Sequence, residues 1–361
     1  MNIDKKEQLN QIVISGYKSI KDCDLELGNI NVLIGSNGAG KSNFLSVFPL
    51  LQNILVQNLA RYASKKGVNS LFYNSTKITD TISIKFHFEG FTYAFDLELS
   101  EGNNLVFSEE SLVLDGKEYI GESNHNESKW EKAGFDKDDL QTLSRGLWHT
   151  YHFNDTSATS RIKREHNVSH CEILMWDGSN LAAFLYRLQQ HYTSEYKSIV
   201  RAIQMVAPYF KDFHLKPEEA NQELIILRWQ EKDRDGILNA SQLSDGTLRF
   251  ACLATLLLQP SALQPSIVIV DEPELGLHPF AMTILAEMVQ KAAVSRQIII
   301  ATQSVELLDN FDVSNVVVVD RDKNGSDFKR LNPEQLSYWL GKDYTLGELW
   351  NKNVFGGRFA R

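Results

Sequence analysis

The sequence predicts an α/β protein with a mainly parallel core sheet, on three observations. An apolar strand, NINVLIG, runs straight into a Gly-rich turn and a helix beginning near Lys41. After residue 240 the pattern alternates: a loop, a helix over 247–258, a strand over 267–271, a helix over 279–293, a strand over 297–302, a short helix, and a strand over 314–320. The middle of the chain carries its own alternating and helical patterning. The core is therefore expected to be discontinuous, built from 1–60 plus 240–361, with 61–239 inserted as a β-hairpin region and a helical lobe.

In chain order, IVISGY and CDLEL read as short strands ahead of the one that ends at Gly35. TISIKFHF and FTYAFDLEL alternate apolar and polar residues around Glu89-Gly90, the pattern of an antiparallel hairpin. LVLD and GKEYI predict a second, weaker hairpin. Residues 121–145 are polar and without period, and are expected to form a surface insertion. From Asn180 to about Tyr209 the spacing of Leu181, Phe184, Leu185 and Leu188, then Ile199, Ile203 and Val206, is helical. ELIILRWQ reads as one strand closed by a turn at Asp233-Arg234-Asp235-Gly236.

The chain has 361 residues, 43% hydrophobic and 23% charged, which is material for two or three domains with a large core and excludes a disordered composition. Its longest apolar runs, such as Phe250 to Leu258, fall well short of the roughly 20 residues of a membrane span. The opening MNIDKKEQLN is polar and does not read as a secretion signal, so a cytoplasmic protein is expected. Cys23, Cys171 and Cys252 form no C-x-x-C pair, which fits three buried thiols in a reducing compartment. A net charge of −9 argues against bulk electrostatic capture of nucleic acid and leaves room only for a local basic patch.

The strongest chemical signal is Gly35-Ser36-Asn37-Gly38-Ala39-Gly40-Lys41-Ser42, a complete G-x-x-x-x-G-K-[ST] pattern between the apolar strand and NFLSVFPLLQNIL. Glycines let the backbone curl until its N–H groups face a phosphate, and the following helix adds its positive N-terminus. Lys41 is expected to bridge the β- and γ-phosphates of ATP and Ser42 to ligate Mg2+, with Asn43 completing the binding set. A second element is SIVIVDEPELGLHP, where four apolar residues, 267–270, bring Asp271 and Glu272 out at a strand end. Given the P-loop upstream, Asp271 is expected to hold Mg2+, directly or through water, and Glu272 to act as general base on the attacking water. A third, Gln242-Leu243-Ser244-Asp245-Gly246-Thr247, opens an apolar helix. In isolation it reads as a capped helix start, but Ser244 and Gly246 can also bring a hydroxyl, backbone N–H groups and a helix dipole to a phosphate.

Taken together, the P-loop, LSDGT, DEPELGLHP and a following IIIATQS resemble the ABC-type ATPases of the SMC/RecF class. Tyr17-Lys18-Ser19-Ile20, a strand and GSNGAGKSN are similar to that class's N-terminus. YHFNDTS, DGSNLAAFLYRL and LGELWNKNVFGGR are similar to a compact prokaryotic branch of predicted ATPases. The resemblance implies an ABC-type ATPase head, with an antiparallel β subdomain and a helical lobe, that closes head to tail as a homodimer on ATP. Ser244 and Gly246 of one subunit would then cap the γ-phosphate held by the other's Gly35–Ser42 loop, and Leu275 to Pro279 would lie at the seam. A capping group supplied by a second subunit makes hydrolysis depend on association. Where the class often carries a switch histidine, this sequence has Gln303. An amide donates to a γ-phosphate oxygen but cannot carry a proton charge, which implies slow turnover at rest.

Weaker signals complete the reading. His152-Phe153-Asn154-Asp155 is the candidate for the loop that couples nucleotide to the lobe. His149/His152 and His166/His170 lack a third ligand at metal spacing. Arg161, Lys163 and Arg164 read first as a solvated face, with a phosphate-backbone contact as the sharper alternative. Asp320 and Asp322 read as strand-end turn residues, and no heptads announce a coiled-coil arm. The expected function is Mg2+-dependent ATP hydrolysis whose ATP-gated dimerisation controls a separate effector, a nuclease or toxin encoded nearby, in anti-phage defence. The alternative is a RecF-like repair ATPase that binds DNA directly. A transporter subunit is a remote third reading, disfavoured by the large insert.

Overall fold

A computed structural model of the chain describes residues 8–114, 116–121, 124–130, 148–342 and 344–357. The chain divides into two units, one formed by residues 1–150, 265–269 and 299–361, the other by 151–264 and 270–298. These limits differ from the expected boundaries at 60 and 240, and strand pairing is the reason. The strand that starts at Thr81 hydrogen-bonds along the first strand of the chain, so the hairpin region forms one body with the N-terminus.

The first unit opens with β1 (Leu9–Tyr17), β2 (Ile20–Glu26) and β3 (Ile30–Ile34). β4 (Thr81–Phe88) and β5 (Phe91–Leu99) form the expected hairpin, followed by β6 (Leu105–Leu114) and β7 (Lys117–Ile120). Their six-stranded sheet has the order β2-β1-β4-β5-β6-β7 and is antiparallel throughout. Period-two alternation turns Ile82, Ile84, Phe86 and Phe88 of β4 inward with Phe91, Tyr93, Phe95 and Leu97 of β5. The second six-stranded sheet has the order β18 (Gly325–Arg330), β17 (Val316–Asp322), β3, β16 (Gln297–Thr302), β15 (Ile267–Asp271) and β8 (Trp148–Tyr151). β3 and β17 pair in parallel. Continuous apolar runs such as those of β15 and β16 are what a strand covered on both faces requires.

The helix expected from Lys41 is broken at Ser46 into α1 (Lys41–Leu45) and α2 (Val47–Leu55). The ring of Phe44 meets Phe328 of β18 at 5.2 Å, and that of Phe48 meets Phe86 of β4 at 6.5 Å. Each buried phenyl contributes roughly 1.5–3 kcal/mol, so the helices after the Gly-rich loop are anchored to both sheets. α3 (Leu59–Lys66) begins with its first two N–H groups on the Glu127 carboxylate, at 3.0 and 3.2 Å. That contact corrects, for 124–130 alone, the expectation of a surface insertion over 121–145. In 124–130, Ser128 and Trp130 are buried, and buried Glu110 accepts from Ser128 Oγ at 2.5 Å, Lys129 N–H at 2.9 Å and Tyr93 OH at 2.7 Å. Polar composition here reflects a carboxylate cap and a buried acid, which composition alone cannot tell from a loop. Residues 131–145 lie outside the described residues.

In the second unit, β10 (Phe210–Phe213), β13 (Arg228–Glu231) and β14 (Leu238–Asn239) form one three-stranded sheet. β11 (Pro217–Glu218), β12 (Asn221–Ile225) and β9 (His166–Asn167) form another. ELIILRWQ is therefore two strands, because its halves pair in different sheets. The helical stretch after Asn180 is likewise split at Tyr192 into α4 (Leu181–His191) and α5 (Thr193–Val206). α6 (Asp245–Leu258) packs between α5 and α7 (Pro279–Ala293), and every residue from Thr247 to Leu257 is buried. A helix apolar on all sides belongs inside a domain. Three short helices, α8 (Val305–Leu308), α9 (Pro333–Leu340) and α10 (Leu346–Asn351), complete the first unit. Among the described residues no helix is long and apolar enough to cross a membrane.

Cys23 and Cys252 are buried as expected, and burial pushes both thiols up to about 12. Cys171 is only half-buried, a correction to the reading of three buried thiols. Because the thiolate is the nucleophile, iodoacetamide at pH 8 should modify Cys171 in the folded protein, leaving Cys23 and Cys252 until the chain is denatured. Peptide mapping reads the outcome directly, and early labelling of Cys252 would contradict the packing of α6.

Candidate functional site

Within the first unit, β3 feeds the Gly-rich loop and α1 leaves it. Gly40 has φ 121°, a backbone conformation open to glycine, and a Cβ there would strike the Ser326 side chain. The loop closes through Ala39 N–H to Ser36 O at 3.2 Å, and Phe44 N–H to Gly40 O at 2.9 Å starts the helix. Lys41 is 6% exposed, and its ammonium donates to Gly35 O at 2.6 Å and Ser36 O at 3.1 Å. The side chain thus folds back over the loop with its charge centred on it. Ser42 is exposed on the first turn. The Asn43 amide donates to Ser19 Oγ at 2.7 Å, where Ser326 Oγ also arrives at 2.7 Å, so Asn43 braces the Tyr17–Ile20 turn. In that turn Lys18 donates to Ser46 Oγ at 2.7 Å, and burial, with Lys66 nearby, lowers its ammonium to about 8.

The far end of the chain also reaches the loop. Ser36 N–H donates to Gly357 O at 3.2 Å, and the Arg321 guanidinium donates to Gly38 O at 3.3 Å. Asp320 accepts from Gly357 N–H at 3.1 Å, while Asp322 accepts from Asn324 N–H at 2.7 Å. Gln303 is exposed just beyond β16, and Ser304 behind it caps α8 through Leu307 N–H at 3.1 Å.

The second unit holds the other expected residues. Asp271 closes β15, and Glu272 follows at φ 49°. A left-handed glutamate costs on the order of 1–2 kcal/mol and persists only where its surroundings fix it. The turn is held by Leu275 N–H to Glu272 O at 3.3 Å and Leu277 N–H to Glu274 O at 2.9 Å. Beyond it Leu275 and Phe280 are 44% and 50% exposed. Ser244 is exposed and caps α6, its Oγ accepting Thr247 N–H at 3.1 Å. At Gly246 a Cβ would collide with the Gly276 carbonyl, so the turn after the acidic pair runs directly against the start of α6.

Arg249 was not anticipated. Its buried guanidinium donates to Phe153 O at 3.0 Å, to Asn154 O at 3.1 Å and to Leu275 O, and burial lowers its pKa. One side chain thereby ties α6 to the turn after Glu272 and to the 152–155 segment. The available signal was its place as the sole charge in TLRFACLATLLL. The basic cluster is not a solvated face at Lys163, whose side chain is 10% exposed, donates to Thr156 O at 2.5 Å and lies 3.5 Å from Asp245. Arg161 pairs with Asp177 at 3.2 Å.

The family model described as "AAA domain, putative AbiEii toxin, Type IV TA system" matches residues 30–309, from β3 past Gln303. The "DNA double-strand break repair Rad50 ATPase" of Sulfolobus acidocaldarius is 31% identical over 110 residues, 30% of this chain and 11% of that protein. A "Putative ABC transporter ATP-binding protein" of Methanosarcina acetivorans is 29% identical over 107 residues, 29% of this chain and 37% of that protein. The chain thus aligns with well under two thirds of the length of either relative. Among solved structures, an Smc head bound to the C-winged helix domain of ScpA matches with a TM-score of 0.59 at 14% identity, covering 91% of this chain and 99% of that one. An Smc head domain with an extended coiled coil, bound to the C-terminal domain of ScpA from Pyrococcus furiosus, matches with a TM-score of 0.54 at 13% identity, covering 93% and 99%. At such identity these matches establish the fold alone, that of an Smc head domain.

Proposed function

The chain belongs to the AAA-domain family of that description and has the fold of an Smc-type ATPase head, and from this premise we propose that it hydrolyses ATP with Mg2+ between two head-to-tail copies of itself. The observation that carries the reading is the Gly-rich loop itself, curled at Gly40 with the Lys41 ammonium drawn over its carbonyls. In this reading Lys41 moves from those carbonyls to the β- and γ-phosphate oxygens. Ser42 and Asp271 offer hard oxygen donors of the kind Mg2+ takes, and the bound ion would neutralise phosphate charge. Glu272 takes the proton of the attacking water, and the Gln303 amide donates to a γ-phosphate oxygen. Ser244 and Gly246 cap the γ-phosphate held by the second copy. Exposed Leu275 and Phe280, next to the acidic pair, support a surface that a second copy covers.

Because each pocket is half built until two copies meet, turnover per chain should rise with protein concentration and require Mg2+. A steady-state assay across a wide dilution series reads this, and a flat, metal-independent rate would overturn the scheme. The family description names a toxin–antitoxin system, and we infer from that setting, beyond its words, that the dimer controls a separate effector, a nuclease or toxin, in anti-phage defence. Smc heads bound to ScpA domains support an ATPase head as the platform for such a partner. The Rad50 likeness favours a second reading, direct DNA binding in repair. Gel shifts with and without ATP separate the two, since ATP-dependent retention with a steep salt slope belongs to the DNA reading.

A further inference from the structure

We infer that Tyr209 is a positioning residue for Ser244, setting the direction in which the serine hydroxyl donates; the inference rests on the reading of Ser244 as a γ-phosphate cap. Tyr209 lies in the link between α5 and β10 and belongs to no motif. Its ring sits edge-on to Trp229, with centroids 5.9 Å apart and an interplanar angle of 62°. Its hydroxyl is 3.1 Å from Thr247 Oγ1, and Thr247 Oγ1 is 2.8 Å from Ser244 Oγ. Thr247 is buried, whereas Ser244 and Tyr209, the latter 39% exposed, lie at the surface, so three hydroxyls form a chain through a buried middle member.

Each hydroxyl has one proton to give, so the chain can run in two directions. Running from Tyr209 through Thr247, it leaves Ser244 Oγ accepting twice, from Thr247 Oγ1 and from Thr247 N–H at 3.1 Å. Both serine lone pairs are then engaged, and the serine proton points outward. Running the other way, Ser244 gives its proton to Thr247 and turns a lone pair toward whatever approaches. A γ-phosphate oxygen is anionic and only accepts, so the first direction binds it and the second repels it. A phenol donates more strongly than an aliphatic alcohol, and placing one at the end opposite Ser244 biases the chain toward the serine. The ring stays on Trp229 whether or not the hydroxyl is present, which separates packing from proton direction.

Tyr209→Phe removes only the hydroxyl. In the full chain, kcat for ATP should fall about three- to tenfold, the worth of one net hydrogen bond, with KM and the thermal midpoint unchanged. In a Ser244→Ala background the same change should cost nothing further, and Thr247→Ser, which keeps the middle hydroxyl, should retain the parental kcat. Wild-type kcat in Tyr209→Phe beside an impaired Ser244→Ala overturns the role of Tyr209 and leaves the capping reading intact. Equal losses in both backgrounds, or a midpoint that drops with kcat, also overturn it, by making Tyr209 a packing residue. Unimpaired Ser244→Ala turnover instead removes the capping reading itself.

Discussion

Lys41→Ala is expected to abolish nucleotide binding. The Lys41 ammonium is buried and donates to two loop carbonyls, so no other cation is needed to bring charge to the loop's centre. In the proposed reading, those two contacts are exchanged on nucleotide binding for contacts to phosphate oxygens. Charge-assisted hydrogen bonds contribute roughly 1.5–3 kcal/mol each, and losing two weakens affinity about 10²- to 10⁴-fold. The alanine also takes the ammonium from the Gly35 and Ser36 carbonyls, leaving Ser36 O only the Ala39 N–H, which loosens the loop even before nucleotide arrives. Calorimetric titration with ATP reads the loss, and circular dichroism confirms that the chain remains folded. Turnover at the parental rate in this variant would show that the loop is not the phosphate site.

Glu272→Gln separates ligand binding from water activation. The amide keeps the shape of the side chain and can share the same left-handed backbone, but it cannot accept the proton of water. Removal of a general base costs about 10²- to 10⁴-fold in rate. Binding through Lys41 and the loop amides is untouched, so ATP should be retained and the paired state should accumulate. Sizing chromatography with ATP and Mg2+ is expected to give a dimer that the parent shows only transiently. A variant that elutes as a monomer while still holding ATP would break the link between nucleotide and pairing.

The parts of the site that were legible in the sequence are those encoded locally. A strand, a Gly-rich turn and a helix follow one another in 30–45, and β15 runs unbroken into Asp271. What was not legible depends on groups far apart in the chain. Arg249 is held by carbonyls at 153 and 154, and a backbone carbonyl leaves no trace in residue identity. The unit boundary follows from β1 pairing with β4, two strands separated in the chain by β2, β3 and the helices after the Gly-rich loop, so no local turn announces the pair. ELIILRWQ looks like one strand because apolar content does not say where a partner sheet ends. Glu127 and Ser128 read as loop residues because a helix cap and a buried acid's partners share the composition of a loop. Phe44 and Phe48, by contrast, fall on the spacing that their helices announce.

The Gly357 carbonyl on the Ser36 amide makes the stretch at Gly357 part of the wall around the Gly-rich loop. A Cβ at 357 would run into the Trp350 indole, so the approach is open only to glycine. A fluorescent protein or affinity handle inserted directly after Gly357 should disturb this wall, and nucleotide affinity is expected to shift with it.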